Sequence, residues 1–436
     1  MTRDSNTAGA AQQGVDGAGR GRRVPDRRLM LVGGILVQVA LGGVYAWSTF
    51  AAAFKSDEST LHLSALQASL PFQIAIGMIF VGTFIGGRIQ DARGPRVVAL
   101  AGVVIYALGI ILSSFAREPG QLWLLLVGYG VLSGFGLGLA YIVPIALLQK
   151  WFPDKPALIT GLAIGGFGLG AVITSPMAQV LIGNNPQTPA AAFLPLGLAY
   201  LVVGVLGAAA FKNPPSGYSV AAAHDASEPS AEAGQASSRR DFTQAEALAT
   251  PQWYLLTAIL TLSVMTGISL VSAAAGSAAA IAGFTAAGAA TLVGVLGLFN
   301  GAGRILWAWI SDRIGKMPAF VGILTIQGLC LIAIPHASAG WLFVLLAAII
   351  YTCYGGAFGA MPSTAGAFFG VANAGSIYGL MLIAWSLGGV AGPLLSTWLI
   401  GADANYTLAF TTVGIIGVAA AILPLITKPP KRPADA

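Results

Sequence analysis

Charge is scarce in this sequence. Of 436 residues, only 9% are Asp, Glu, Lys or Arg, whereas ordinary soluble domains carry about 25%. With 56% hydrophobic residues and a mean hydropathy of +0.79, the chain lacks the polar residues that a water-facing surface needs, so a soluble globular fold is excluded. Cysteine is almost absent. Cys330 and Cys353 both lie in apolar stretches, which excludes a disulfide framework or a thiolate metal site and leaves both as packing residues. There are three dispersed histidines, and none of the sixteen acids falls in the middle of an apolar run. No nucleophile–base pair or metal-ligand cluster can be assembled from these, so an enzyme has no support and neither metal nor cofactor is expected. The formal charge of +6 does not indicate a nucleic-acid partner, because the basic residues are scattered between apolar runs instead of clustered on one face.

What the chain does have is long apolar runs. Helices of about 20 residues cross the ~30 Å hydrocarbon core, and twelve such runs can be placed. They are Leu29 to Phe54, Leu66 to Ile89, Pro95 to Ala116, Leu122 to Gln149, Pro156 to Ile182, Ala190 to Phe211, Trp253 to Ala282, Ala286 to Ile310, Met317 to Pro335, Trp341 to Phe369, Asn373 to Ile400 and Tyr406 to Ile426. The expected fold class is an all-α membrane protein with the lipid bilayer as its solvent. Residues 1–28 are polar and low in complexity and are expected to be disordered. They do not resemble a cleaved signal peptide, because the apolar run that follows is too long for its hydrophobic region. The polar interval 212–250 divides the chain into six-helix halves, 29–211 and 251–427, with a short tail at 428–436.

Placing both ends and the 212–250 linker on one side puts nearly every Lys and Arg there, leaving only Lys55 and Arg117 opposite. By the positive-inside rule that side is cytoplasmic, which implies a multi-pass plasma-membrane (cell inner membrane) protein with both termini inside. One basic residue fits no loop. Arg304 lies two helical turns from Asp312, hence ~12 Å below the interface at 1.5 Å per residue. An Arg at that depth costs about 2.5–3.5 kcal/mol on insertion scales. With no acid mid-membrane, the missing counter-charge is read as an anionic substrate. Asn300 stands one turn before Arg304 on the same face. In the first half, Tyr45, Gln73 and Tyr141 supply polar tips on apolar runs and suit a small cavity for a carboxylate.

Two segments repeat after the second helix of each half: Gly87-Arg88-Ile89-Gln90-Asp91-Ala92-Arg93-Gly94-Pro95-Arg96 and Ala308-Trp309-Ile310-Ser311-Asp312-Arg313-Ile314-Gly315-Lys316. Each has an acid at a helix end, then a base, a glycine turn and another base. Asp91, Arg93, Gly94 and Arg96, with Asp312, Arg313, Gly315 and Lys316, are therefore candidates for a conformational latch. The acid can accept from a neighbouring helix N-terminus and pair with bases, and the glycine permits a tight turn. The pair resembles the loop 2–3 motif of the major facilitator superfamily and its second-half copy, with Ala308 in place of the usual glycine.

A narrower resemblance lies in Gln149-Lys150-Trp151-Phe152-Pro153-Asp154-Lys155, Tyr45-Ala46-Trp47-Ser48, Thr250-Pro251-Gln252-Trp253-Tyr254 and Phe299-Asn300-Gly301-Ala302-Gly303-Arg304. These look like the oxalate/formate antiporter family, which borders the monocarboxylate transporters. The resemblance implies the twelve-helix major facilitator fold, with Arg304 as the substrate-carboxylate arginine. It also implies that Tyr45, Gln73 and Tyr141 line the cavity and that Tyr354 fills an aromatic position in helix ten. Where the oxalate transporter has a second cation, a lysine in helix eleven, this chain has Trp385. One guanidinium pairs bidentately with one carboxylate and leaves a second charge unpartnered.

The expectation is alternating-access transport of a monocarboxylate such as lactate, pyruvate, glycolate or formate, by a monomer. Oxalate/formate-type exchange and a non-transporting carboxylate sensor remain the alternatives. The coupling partner is a proton or a counter-anion. With no membrane-embedded acid, with Asn300 where many animal monocarboxylate transporters have an acid, and with His62 and His336 at the outer helix ends, exchange needs fewer groups than proton symport.

Overall fold

The structure is a computed structural model that describes residues 26–152, 156–215, 241–370, 373–401 and 405–431. The segments 1–25, 216–240 and 432–436, where disorder, most of the linker and the end of the tail are expected, lie outside the described residues.

The described residues form twelve helices long and apolar enough to cross a membrane: α1 (Arg27–Phe54), α2 (Ala65–Gln90), α3 (Pro95–Ser113), α4 (Pro119–Leu148), α5 (Gly161–Asn184), α6 (Pro189–Ala209), α7 (Pro251–Ala282), α8 (Ala286–Ile314), α9 (Lys316–His336), α10 (Gly340–Phe369), α11 (Ser376–Ile400) and α12 (Tyr406–Ile426). All twelve expected crossings are present, and no strand occurs among the described residues. Local chemistry sets their starts. The Ser64 side chain accepts from the Gln67 backbone while the Gln67 side chain accepts from the Ser64 N–H, closing a capping box at α2. Thr250 caps α7, with Pro251 in the first turn, and Thr285 caps α8.

Loop contacts sort the helix ends into two sides. On one, the Arg27 guanidinium stands 4.9 Å from the Phe152 ring, Trp151 donates to the Lys212 carbonyl, and Lys316 donates to Ser363. On the other, the Thr60 hydroxyl reaches the carbonyls of both Arg117 and Gln187, drawing three connecting loops together. The first is the basic side. There the short helix Gln244–Leu248 precedes α7. The Phe242 N–H donates to the Phe369 carbonyl, and Asn373 donates back to the Phe242 carbonyl.

The halves meet along two seams, α5 against α8 and α2 against α11. Glycine makes the first seam close: a Cβ on Gly168 would stand 2.6 Å from the Gly301 nitrogen, nearer than any side chain tolerates. In the second, Ser386 donates to the Ile76 carbonyl and accepts from the Phe80 N–H, so a polar tie crosses between halves in a region otherwise held by packing.

Three helices lose regularity within their spans. Helix α1 tightens to a 3-10 turn at Gly43–Ala46, α4 widens to a π-helical stretch at Leu125–Ser133, and α11 breaks between Ala374–Met381 and Ile383–Ile400. Such departures cluster at functional positions in helices, and two of these fall at or just before site residues, Tyr45 in α1 and Trp385 in α11.

Candidate functional site

Arg304 is fully buried, with 0% of its surface exposed. Its Nε donates weakly, at 3.4 Å, to the Asn300 Oδ1 one turn back, while neither Nη atom has a hydrogen-bond partner. Helix α10 sets the position of both residues. A methyl on Gly355 would overlap the Asn300 carbonyl, and one on Gly359 would overlap the Arg304 carbonyl. Two glycines one turn apart thus let α8 lie against α10 at the two residues that carry the polar groups.

Aromatic rings from both halves enclose the guanidinium. Its carbon lies 5.3 Å from the Phe358 ring centre and 5.7 Å from that of Phe167, inside the range of cation–π attraction. Tyr141 packs edge-on against Phe167 at 5.3 Å and against Trp385 at 5.0 Å. Trp385 in turn meets Phe167 and Phe358 at 5.5 and 5.0 Å. The hydroxyls of Tyr45 and Tyr354 share a 2.8 Å hydrogen bond, and since Tyr45 sits on α1 and Tyr354 on α10, that bond crosses between the halves. The Gln38 amide donates to the Tyr141 carbonyl and ties α1 to α4 below the cage.

Several polar atoms facing this region lack a well-formed hydrogen bond: Tyr141 Oη, Tyr378 Oη, Asn300 Nδ2 and Trp385 Nε1, besides the two Arg304 nitrogens, with Tyr141 close to Arg304 and Trp385 close to Tyr354. Nearly all can donate. A buried donor without a partner costs about 1–3 kcal/mol, more when charged, so the cluster is unfavourable until an acceptor enters. A group with two acceptor oxygens in a plane matches the forked guanidinium. Among the described residues no group of His, Cys, Asp or Glu could hold a metal.

Of the residues singled out in the sequence, Arg304, Asn300, Tyr45, Tyr141, Tyr354 and Trp385 come together. Gln73 is buried, but its amide donates to Ser69 at 2.9 Å, one turn nearer the side opposite the basic one. Phe167, Phe358 and Tyr378 were not foreseen. Phe167 is the one aromatic side chain between the glycines of α5, and Phe358 follows Tyr354 by four residues. Both signals were present, but periodic spacing cannot say which face meets the partner half.

The duplicated turns share a backbone. Gly94 has φ 84° and ψ 166°, Gly315 φ 96° and ψ 155°, a region essentially reserved for glycine. In the second copy, Lys316 pairs with Asp312 at 2.5 Å and donates to Ser363 on α10 at 3.0 Å, joining α8, α9 and α10. Arg313 lies 4.0 Å from the Trp309 ring centre. In the first copy Arg93 and Arg96 are exposed, and the Asp91 side chain lies outside the described part.

Residues 35–393 match the family model of the Major Facilitator Superfamily, and the chain belongs to that superfamily. It is a multi-pass membrane transporter, not an enzyme. Among known proteins it is similar to an uncharacterized MFS-type transporter, YhjX, of Escherichia coli (strain K12), at 26% identity over 84% of this chain and 86% of that protein. It is likewise similar to the oxalate:formate antiporter of Oxalobacter formigenes, at 26% identity over 93% of this chain and 94% of that one. Monocarboxylate transporter 13 of Rattus norvegicus is 27% identical over 84% of this chain and 79% of its own length.

Proposed function

We propose that this protein transports a small monocarboxylate across the membrane by alternating access, with Arg304 as the residue that receives the carboxylate. A guanidinium with 0% exposure, two Nη atoms without a well-formed hydrogen bond and, among the described residues, no acid beside it carries the assignment. Substrate carboxylate satisfies both nitrogens at once through paired charge-assisted bonds, and Tyr141, Asn300 and Tyr378 supply further donors. The relatives named for oxalate:formate exchange and for monocarboxylate transport point to the same ligand chemistry.

Trp385 favours one carboxylate over two. It fills the side of the cage facing Tyr141 and Phe358 with an indole, so a second anionic group would meet an apolar wall instead of a cation. The Tyr45–Tyr354 bond closes the cage across the halves. Its breakage accompanies rocking of one half against the other around the α5–α8 and α2–α11 seams, while the Asp312–Lys316–Ser363 cluster steadies the basic side. Arg93, Gly94 and Arg96, with Asp91, act as its first-half counterpart. The basic side faces the cytoplasm by the positive-inside rule, the protein works as a monomer, and anion exchange is the coupling that needs no titrating group in the cage.

The test is substrate-dependent thermal stabilisation of purified protein with formate, lactate, pyruvate, glycolate and oxalate, followed by counterflow in proteoliposomes for each hit. A monocarboxylate should stabilise and exchange. Stabilisation by oxalate alone, or an undiminished response in Arg304→Ala, refutes the assignment.

A further inference from the structure

On the side opposite the basic one, a small vestibule opens between the two halves, with about 60 Å³ of room for the centres of water-sized molecules. Trp47, Ser48 and Lys55 of the first half line it, together with Ser69 and Phe72; from the second half come Ser272, Gly276, Ser396, Thr397 and Tyr406. It is a separate place from the Arg304 cage, sharing no residue with it. Its floor is polar. Ser48 and Ser396 are each 2% exposed, and neither hydroxyl has a hydrogen-bond partner.

Lys55 is the cation of this chamber, and it reaches across the halves. A Cβ on Gly276 would stand 3.9 Å from the Lys55 Nζ and 3.0 Å from the Tyr406 hydroxyl. An ammonium from the end of α1 and a phenol from the start of α12 therefore flank one glycine-made gap on α7. No carboxylate among the described residues lies within salt-bridge distance of Lys55, although Asp57 and Glu58 follow it in sequence. Lys55 is exposed, yet desolvation by the protein beside it lowers its ammonium pKa, with no acid counteracting this.

We infer that the gap between Lys55, Gly276 and Tyr406 is a second carboxylate-binding site, a staging post that takes the anion at the mouth of the protein before it reaches Arg304. This rests on the proposed transport of carboxylates. The ammonium supplies the charge, the Tyr406 hydroxyl a donor, and the missing side chain of Gly276 the room. Charge at the rim of a cleft acts mainly by drawing the ligand in, so Lys55 governs apparent affinity from this side and leaves turnover to the cage.

The direct test is protection of Lys55 from a small amine-acylating reagent, read by mass spectrometry on full-length protein in detergent, with lactate or formate as the probe. The same measurement is made on Arg304→Ala, so that loss of the cage and loss of the post give different results. Carboxylate should slow Lys55 acylation about threefold or more in both proteins. Acetamide, uncharged and of similar size, should not, and Gly276→Val should abolish protection. Absence of protection in either protein, or protection present in the wild type and lost in Arg304→Ala, overturns the site. In proteoliposomes Lys55→Gln should raise KM for uptake from the vestibule side about fivefold with kcat retained, and Lys55→Arg should restore it. An unchanged KM overturns the staging role.

Discussion

Replacing Arg304 by Met should separate stability from function in opposite directions. The guanidinium is fully buried with both Nη atoms unpartnered, a placement that costs about 2.5–3.5 kcal/mol on insertion scales. Its attraction to Phe167 and Phe358 returns only part of this. With centroid distances of 5.7 and 5.3 Å, near the outer limit, each contact contributes about 0.5 kcal/mol. Met fills much of the same volume without a charge, so the variant should be more stable than the wild type by roughly 1.5–2.5 kcal/mol in the absence of substrate. That corresponds to a rise in Tm of a few degrees. Saturating carboxylate reverses the order: at a hundred times Kd the wild type gains about 2.7 kcal/mol and the variant nothing. Thermal unfolding in detergent, with and without the best monocarboxylate, therefore gives melting temperatures that exchange rank, while counterflow by the variant falls to background. A ligand-free variant destabilised by more than about 2 kcal/mol would mean that Arg304 is a structural tie, and the argument from its unpartnered nitrogens would fail.

Four further substitutions probe the surroundings. Tyr45→Phe and Tyr354→Phe each remove the 2.8 Å bond between the halves, worth about 0.5–1.5 kcal/mol; each should change exchange rate several-fold, with the double variant no worse than either single, and additive effects would deny the coupling. Gly359→Ala places a methyl against the Arg304 carbonyl and should cost about 1–3 kcal/mol of stability and most of the transport, as read by Tm and counterflow; a silent substitution would show that α8 and α10 are not held at this contact. Trp385→Ala removes the indole that packs on Tyr141, Phe167 and Phe358 and should shift preference toward monocarboxylates with longer chains by about tenfold in KM ratio, whereas an unaltered ratio would place Trp385 outside the specificity wall.

The residues of the site divide by how they announce themselves. Arg304 was legible because a charge in an apolar run is costly wherever the helix packs. Tyr45 and Tyr141 were legible as polar tips on apolar runs, and Tyr354 and Trp385 through resemblance. Phe167 was hidden among the glycines of α5. Gln73 lies at suitable depth on α2, yet its amide turns to Ser69, because a helix of amphiphilic ambiguity in lipid does not reveal which face meets the centre.

Hydropathy, the near absence of charge and the duplicated glycine turns determined by themselves the number of crossings, their division into halves and the cation Arg304 in an apolar run. Each is a local or one-dimensional property: twenty apolar residues must span, and a glycine at φ 84° or 96° must turn. Which atoms surround Arg304, that the Tyr45 and Tyr354 hydroxyls meet over a separation of 309 residues, and that Lys55 and Tyr406 flank Gly276 were decided only by tertiary structure. These contacts come from the packing of helices across the two halves, and in a bundle where almost every face is apolar no sequence period distinguishes the face turned to lipid from the face turned to substrate.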